Sequence, residues 1–304
     1  MGCYGKLPLH RDFIRHSADL MVVEPLLQWL EESVARAKRA RGQEWGGALA
    51  AGQSTCFAWR NQDRPCGAVG ALVASRDRAG RRWPFIVFRT WQSPPNAHAP
   101  RGLLRLEGFF RAAAKAVTLA RQGFDSIDAL RAHVDGLDAV EAALATGSGD
   151  EDFLRNCTVG ELWGAWTGED ARDRQCLILQ NAGDAFAGGV PRYALRCSST
   201  GTLREVAFLI ELCRRVARGH GSPWPSLLLW SGAGPLDVCR LVFDRLSPRY
   251  YAPLFWEGEP HELAFDLAGP GAAKRLTAAR ARFADFLARP ETTLAEVIEA
   301  ACGG

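Results

Sequence analysis

Apolar positions along this chain switch between two periods. At Thr55–Arg60, Ala68–Ala74 and Pro84–Trp91 they fall in short blocks bounded by turn-forming residues, which predicts three strands. The last two blocks are joined by residues 75–82, where Asp77 and Gly80 favour a turn, so the pair predicts a hairpin. Residues 2–6 predict a further short strand, followed by a loop holding Pro8. From Glu24-Pro25 the period lengthens. Leu26, Leu30, Val34 and Ala37 share one face and Glu32 and Arg36 stand four apart on another, which predicts a helix with Pro25 in its first turn. Residues 103–121, with Leu106, Phe109, Phe110, Ala113 and Val117 in one stripe, predict a second helix, and residues 125–145 a third.

The acidic, Gly-rich segment 146–152 reads as an internal linker. Beyond it, Cys176–Leu179 and Tyr193–Cys197 predict strands, followed by an amphipathic helix carrying Val206, Leu209, Ile210, Cys213 and Val216. Ser226–Trp230 predicts a strand covered on both faces, because its apolar residues are consecutive rather than alternating. A helix at 235–246 and a short strand at 254–257 complete a body spanning residues 1–258. Pro260, Gly269, Pro270 and Gly271 then punctuate the entry to a helical C-terminal extension, residues 259–304. Its helices are expected at 272–288 and 292–301, the second opened by a capping box of Thr293 and Glu296. Leu276, Ala279, Phe283 and Phe286 or Leu287 form an apolar stripe that calls for cover, from the body or from a second copy in a homodimer. Strands alternating with helices imply a layered α/β sandwich with a mixed sheet.

Composition narrows the function classes. In 304 residues, 37 basic and 34 acidic side chains leave a net charge of +3, too even to argue for a nucleic-acid binder. The nine cysteines form no Cys-x-x-Cys pair and complete no zinc spacing with histidine, so buried, reduced thiols are expected. Met1-Gly2-Cys3 starts like a lipidation signal, but Lys6 stands where Ser or Thr is needed. With no apolar leader before Cys3 and no run long enough to span a bilayer, a cytoplasmic location without membrane insertion is expected.

No motif builds a coherent reaction centre. Gly5-Lys6 resembles a phosphate loop only in that pair, since Leu7 cannot replace the magnesium-holding hydroxyl. The turn Gly232–Gly234 could cradle a phosphate, yet it lacks the third glycine of a dinucleotide site. These two features carry the rival reading, a phosphate- or nucleotide-binding enzyme or switch. His10, Asp12 and His16 lie close in sequence but lack a further ligand, so no metal and no cofactor are expected, and Asp12 reads as a cap for loop amides. Asp77 likewise reads as a turn former, while Arg78, Arg81 and Arg82 could grip a carboxylate or phosphate. Of the ten tryptophans, Trp163, Trp166 and Trp256 are candidate interface anchors.

Three segments taken together are more specific. Gly2-Cys3-Tyr4-Gly5-Lys6-Leu7-Pro8 with Asp12-Phe13, then Ser75-x-Asp77-Arg78-x-Gly80-Arg81-x-Trp83-Pro84, then Pro225-Ser226-Leu227 with Trp230, resemble the TagF (ImpM) family of type VI secretion-associated proteins. The resemblance implies a three-layer αβα sandwich without catalysis. It also implies a post-translational repressor that engages a forkhead-associated scaffold protein. Gly5, Lys6, Pro8, Asp77, Gly80 and Pro84 are its structural motif residues, and the charged Arg11, Asp12, Arg78, Arg81 and Arg82 beside them are the expected partner contacts.

Overall fold

The computed structural model describes residues 1–17, 20–42, 54–92, 103–137, 150–164, 166, 168–198, 202–217, 224–231, 238–248, 264–269 and 273–303. Its strands are β1 (Gly2–Gly5), β2 (Ile14–His16), β3 (Thr55–Arg60), β4 (Cys66–Val73), β5 (Phe85–Gln92), β6 (Ala194–Ser198), β7 (Leu227–Trp230), β8 (Val238–Val242) and β9 (Ala264–Asp266). They join one sheet in the order β2-β1-β5-β4-β3-β7-β8-β6-β9. The β6–β9 pairing is parallel and the other pairings are antiparallel, so the sheet is mixed.

Helices cover both faces, and the strand residues show why. Every residue of β4 is buried. Val69, Ala71 and Val73 enter one apolar cluster with Phe85 and Val87 of β5, while Ala68 and Leu72 enter a second with Ile86 and Phe88. Successive side chains of a strand point to opposite faces, so two clusters need two helical layers. The second cluster is closed by α1 (Leu20–Arg41) through Leu26, Leu30, Val34 and Ala37. On the other face lie α2 (Glu107–Gln122), α3 (Ile127–Asp135), α4 (Asp150–Asn156), α5 (Val159–Trp163), α6 (Glu169–Phe186), α7 (Leu203–Val216), α8 (Ala273–Leu287) and α9 (Leu294–Cys302). The result is the αβα sandwich with a mixed sheet and helical C-terminal segment that the chain was expected to form.

Several local expectations are corrected. α1 begins before Pro25, which lies inside the helix. Val22 and Val23 are buried and continue the apolar face upstream, so packing extends the helix past the proline. Cys176–Leu179 is not a strand but part of α6. Four consecutive buried residues fit a fully covered helix turn as well as a strand, and the flanking length decides. Residues 238–242 of the expected helix 235–246 form β8, held by antiparallel partners on both sides. Asp150–Asp152, placed in the linker, open α4. The rest of that linker, the Gly232–Gly234 turn, Trp256 and the strand expected at 254–257 lie outside the described residues.

In the C-terminal segment, Thr293 and Glu296 form the expected capping box at α9. Ala279, Phe283 and Leu287 of α8 are buried in the cluster shared with α6 and α7, so the stripe is covered by this chain's own body. Eight cysteines are buried and Cys302 is half-buried. Burial pushes the Cys3, Cys56 and Cys213 thiols up to about 12. Among the described residues, no helix is long and apolar enough to cross a membrane.

Candidate functional site

β1 and β5 are neighbours in the sheet, with Cys3 opposite Val87. The loop leaving β1 and the loop entering β5 therefore emerge side by side, and these are the two motif segments, residues 6–13 and 75–84. Gly5 is where they meet. Its φ is +133°, and a Cβ there would stand 2.3 Å from the Pro84 carbonyl oxygen, so only glycine fits.

The 75–84 loop is organised from its own backbone outward. Trp83 N–H donates to Ser75 O, and Arg76 and Arg82 form an antiparallel bridge. Asp77 N–H donates to Arg81 O at 3.0 Å and Gly80 N–H to Asp77 O at 2.9 Å. Gly80 takes φ +81° at the tip, with open space around it.

Asp77 fixes this tip from inside. Its side chain is wholly buried. Oδ1 accepts the amides of Ala79 at 2.9 Å and Arg81 at 2.8 Å, and Oδ2 accepts Lys6 Nζ at 2.9 Å and Arg81 Nε at 2.6 Å. Burial alone would raise the pKa of this carboxyl. The Lys6 bond, the Arg81 amide and guanidinium and the Lys6 charge outweigh it, so Asp77 is held well below the usual carboxylate range. Lys6 is itself buried, with its ammonium 4.9 Å from the centroid of the Phe13 ring. Phe13 stacks on Tyr4 at 5.2 Å and meets the edge of Trp83 at 5.1 Å. From α1, Lys38 reaches to 5.9 Å from the Trp83 ring, and Tyr4 O–H donates to Glu31 at 2.8 Å. Burial, then the charge of Lys6, lowers the Lys38 pKa.

Two further bonds zip the loops together. Arg78 N–H donates to His10 O at 2.9 Å, and Arg81 Nη2 donates to Arg11 O. The five residues expected as partner contacts, Arg11, Asp12, Arg78, Arg81 and Arg82, thus come together as one exposed rim over a buried ion pair. Gly5, Lys6, Asp77, Gly80 and Pro84 build the base, while Pro8 sits half-buried in the first loop. Sequence reasoning missed Arg76, which adds to the rim, and the Tyr4–Phe13–Trp83 nest around Lys6. The alternating aromatics inside the motifs were the available signal.

Other candidates are brought elsewhere. Asp12 accepts its neighbour's Phe13 N–H at 2.8 Å, a local cap, and His10 Nδ1 accepts Asp12 N–H at 3.1 Å. His16 instead bonds Asp135 of α3 at 2.8 Å. Among the described residues no group of three His, Cys, Asp or Glu could hold a metal ion. Lys6 spends its charge on Asp77 inside the protein. Trp163 is a core residue packed edge-on against Phe208 rather than an exposed anchor, and Trp166 packs partly buried beside it.

Residues 2–137 match the family model of the TagF N-terminal domain, type VI secretion system-associated. That span holds both motif loops, β1 to β5 and α1 to α3. Among solved structures, the crystal structure of PA0076 from Pseudomonas aeruginosa PAO1 aligns with 17% sequence identity and a TM-score of 0.47, covering 89% of this chain and 99% of that one. No curated protein matches the chain.

Proposed function

We propose, on the match of residues 2–137 to the family model of the TagF N-terminal domain, type VI secretion system-associated, that this chain is a non-catalytic, post-translational repressor of a bacterial type VI secretion system. In this reading it acts by binding a forkhead-associated scaffold protein, so that the scaffold is withdrawn from assembly by mass action. The family match carries the reading. The motif chemistry supports it: Lys6 and Asp77, the two groups best suited to reactive roles, are buried against each other and consolidate a surface. A catalytic acid or base needs reach to a substrate proton, which this pair lacks. What the pair leaves outside is a rim of loops and exposed guanidinium groups, which in this reading is the surface that meets the scaffold.

The test has two arms. Affinity capture of the tagged chain from its native host is expected to recover the scaffold, with partners identified by mass spectrometry. Overproduction of the chain is expected to suppress secretion in proportion to its level. A chain that recovers no scaffold and leaves secretion unchanged would reject the reading.

A further inference from the structure

The two motif loops carry a net positive charge that the rest of the chain, taken as a whole, does not. Segments 6–13 and 75–84 hold Lys6, Arg11, Arg76, Arg78, Arg81 and Arg82 against Asp12 and Asp77, a net of +4. The remainder of the chain carries 31 basic and 32 acidic residues, a net of −1. Of the two acidic residues in the loops, only Asp12 faces the exterior. Asp77 is wholly buried and turned to Lys6, the loop amides and the Nε of Arg81. Asp12 bonds its own loop amide. Arg11, Arg76, Arg78 and Arg82 are exposed, and among the described residues no carboxylate pairs with them.

Arg76 and Arg82 stand directly opposite each other across a bridged pair. Like charges in that position are destabilising. A folded chain that keeps such a pair without an internal counter-charge leaves it for an external anion. The backbone beneath is already fixed by the Asp77 bonds and the two loop-to-loop bonds, so little ordering remains to be done on binding.

We propose that this rim docks a carboxylate-rich segment of a partner protein, each guanidinium taking one acidic side chain. The inference rests on the reading of the chain as a partner-binding regulator and names the chemistry of the partner. Several arguments separate carboxylates from other anions. The guanidinium groups are spread over both sides of a hairpin and an adjoining loop, which suits separate carboxylates better than one phosphate. The rim guanidinium groups that no carboxylate among the described residues pairs with, those of Arg11, Arg76, Arg78 and Arg82, sit on two short loops. A nucleic acid, with a charge every ~1.7 Å of duplex, is tracked by a longer basic stripe.

The experiment uses the full chain and four probes: a peptide of alternating Glu and Asp, its Gln and Asn counterpart, a neutral peptide with one phosphoserine, and a DNA duplex. Binding is measured by calorimetry at low and high salt. The acidic peptide should bind, its amide counterpart should not, and affinity should fall as salt rises, since exposed charges are screened within ~10 Å at 0.1 M. The double variant R78E/R82E should lose about ten-fold or more in affinity, the scale of one lost charge-assisted contact. The control R172E/R174E, with the same charge change on exposed residues of α6, should stay near wild type. Matched melting temperatures keep folding out of the comparison.

Equal loss in the control, or equal binding of the amide peptide, would overturn the proposal. Tighter binding of the phosphopeptide or the duplex than of the acidic peptide would do so as well. In the host, an R78E/R82E chain that binds no acidic peptide yet still represses secretion would also sink it, while leaving the repressor reading intact. Peptide binding by a wild-type chain that represses nothing would count against the repressor reading and leave the chemistry of the rim standing.

Discussion

Lys6 and Asp77 are 71 positions apart in sequence, and their burial makes sense only as a pair. Removing one partner of a buried ion pair leaves a charge without compensation, at a cost of about 3–5 kcal/mol. Asp77→Asn strands the Lys6 ammonium and weakens the turn, so it should lower the urea unfolding free energy by about that amount. Lys6→Met leaves Asp77 with Arg81 and two amides and should cost less. The same carboxylate predicts a pH dependence. Its folded pKa lies below the unfolded value of 3.8, so its stabilisation is complete above that value and is lost as pH falls through the folded one. Urea midpoints measured from about pH 5 down to pH 3 should therefore drop more steeply in wild type than in Asp77→Asn. Both residues stood out in the sequence as motif positions, but nothing local told that they touch. That follows only from the β1–β5 pairing, which places two distant loops side by side.

At the scale of elements, legibility followed how much of the packing a local pattern records. β3, β4, β5, β7 and the helices α2, α7 and α9 were readable because their apolar period and caps agree with their surroundings. Residues 176–179 and 238–242 were not, because a short buried apolar run fits either period. For β8, the sheet decided: Leu228 of β7 on one side and Leu195 of β6 on the other both register with Leu241. The α9 cap was legible because Thr293 and Glu296 satisfy each other's backbone amides within one turn. Thr293→Ala should cost about 0.5–2 kcal/mol, seen as a lower urea midpoint with the slope unchanged. Phe283 is wholly buried on α8, and Phe283→Ala should cost about 3–5 kcal/mol by lost transfer and cavity, measured the same way.

For the whole molecule, the question is where folding ends. Residues 259–304 read in sequence as an added helical extension, yet the sheet and the core run into them. β9 pairs in parallel with β6, and Leu267 N–H donates to Arg196 O at 2.7 Å. Asn181, buried on α6, donates to Leu267 O at 3.0 Å. Arg280 of α8 holds Asp173 of α6 through two bonds of 2.6 Å, and Leu294 N–H donates to Cys157 O at 3.0 Å. Val297 and Ile298 of α9 lie in the same buried cluster as Leu209 and Leu212 of α7. Removing the segment would bare the apolar faces of α6 and α7 and leave Asn181 without its backbone acceptor. Each loss is of the kind that destabilises by more than a surface change. Residues 1–258 alone should therefore show a broad, low-enthalpy thermal transition and bind a dye for exposed apolar surface, while keeping much of their far-ultraviolet circular dichroism. A sharp calorimetric transition close to that of the full chain would instead establish residues 259–304 as a separable unit. The motif rim is built on β1, β4 and β5, at the opposite half of the sheet from β9. Loss of the C-terminal helices should thus act on the rim only through global stability, and binding by the folded fraction of the truncated chain should match that of the intact protein.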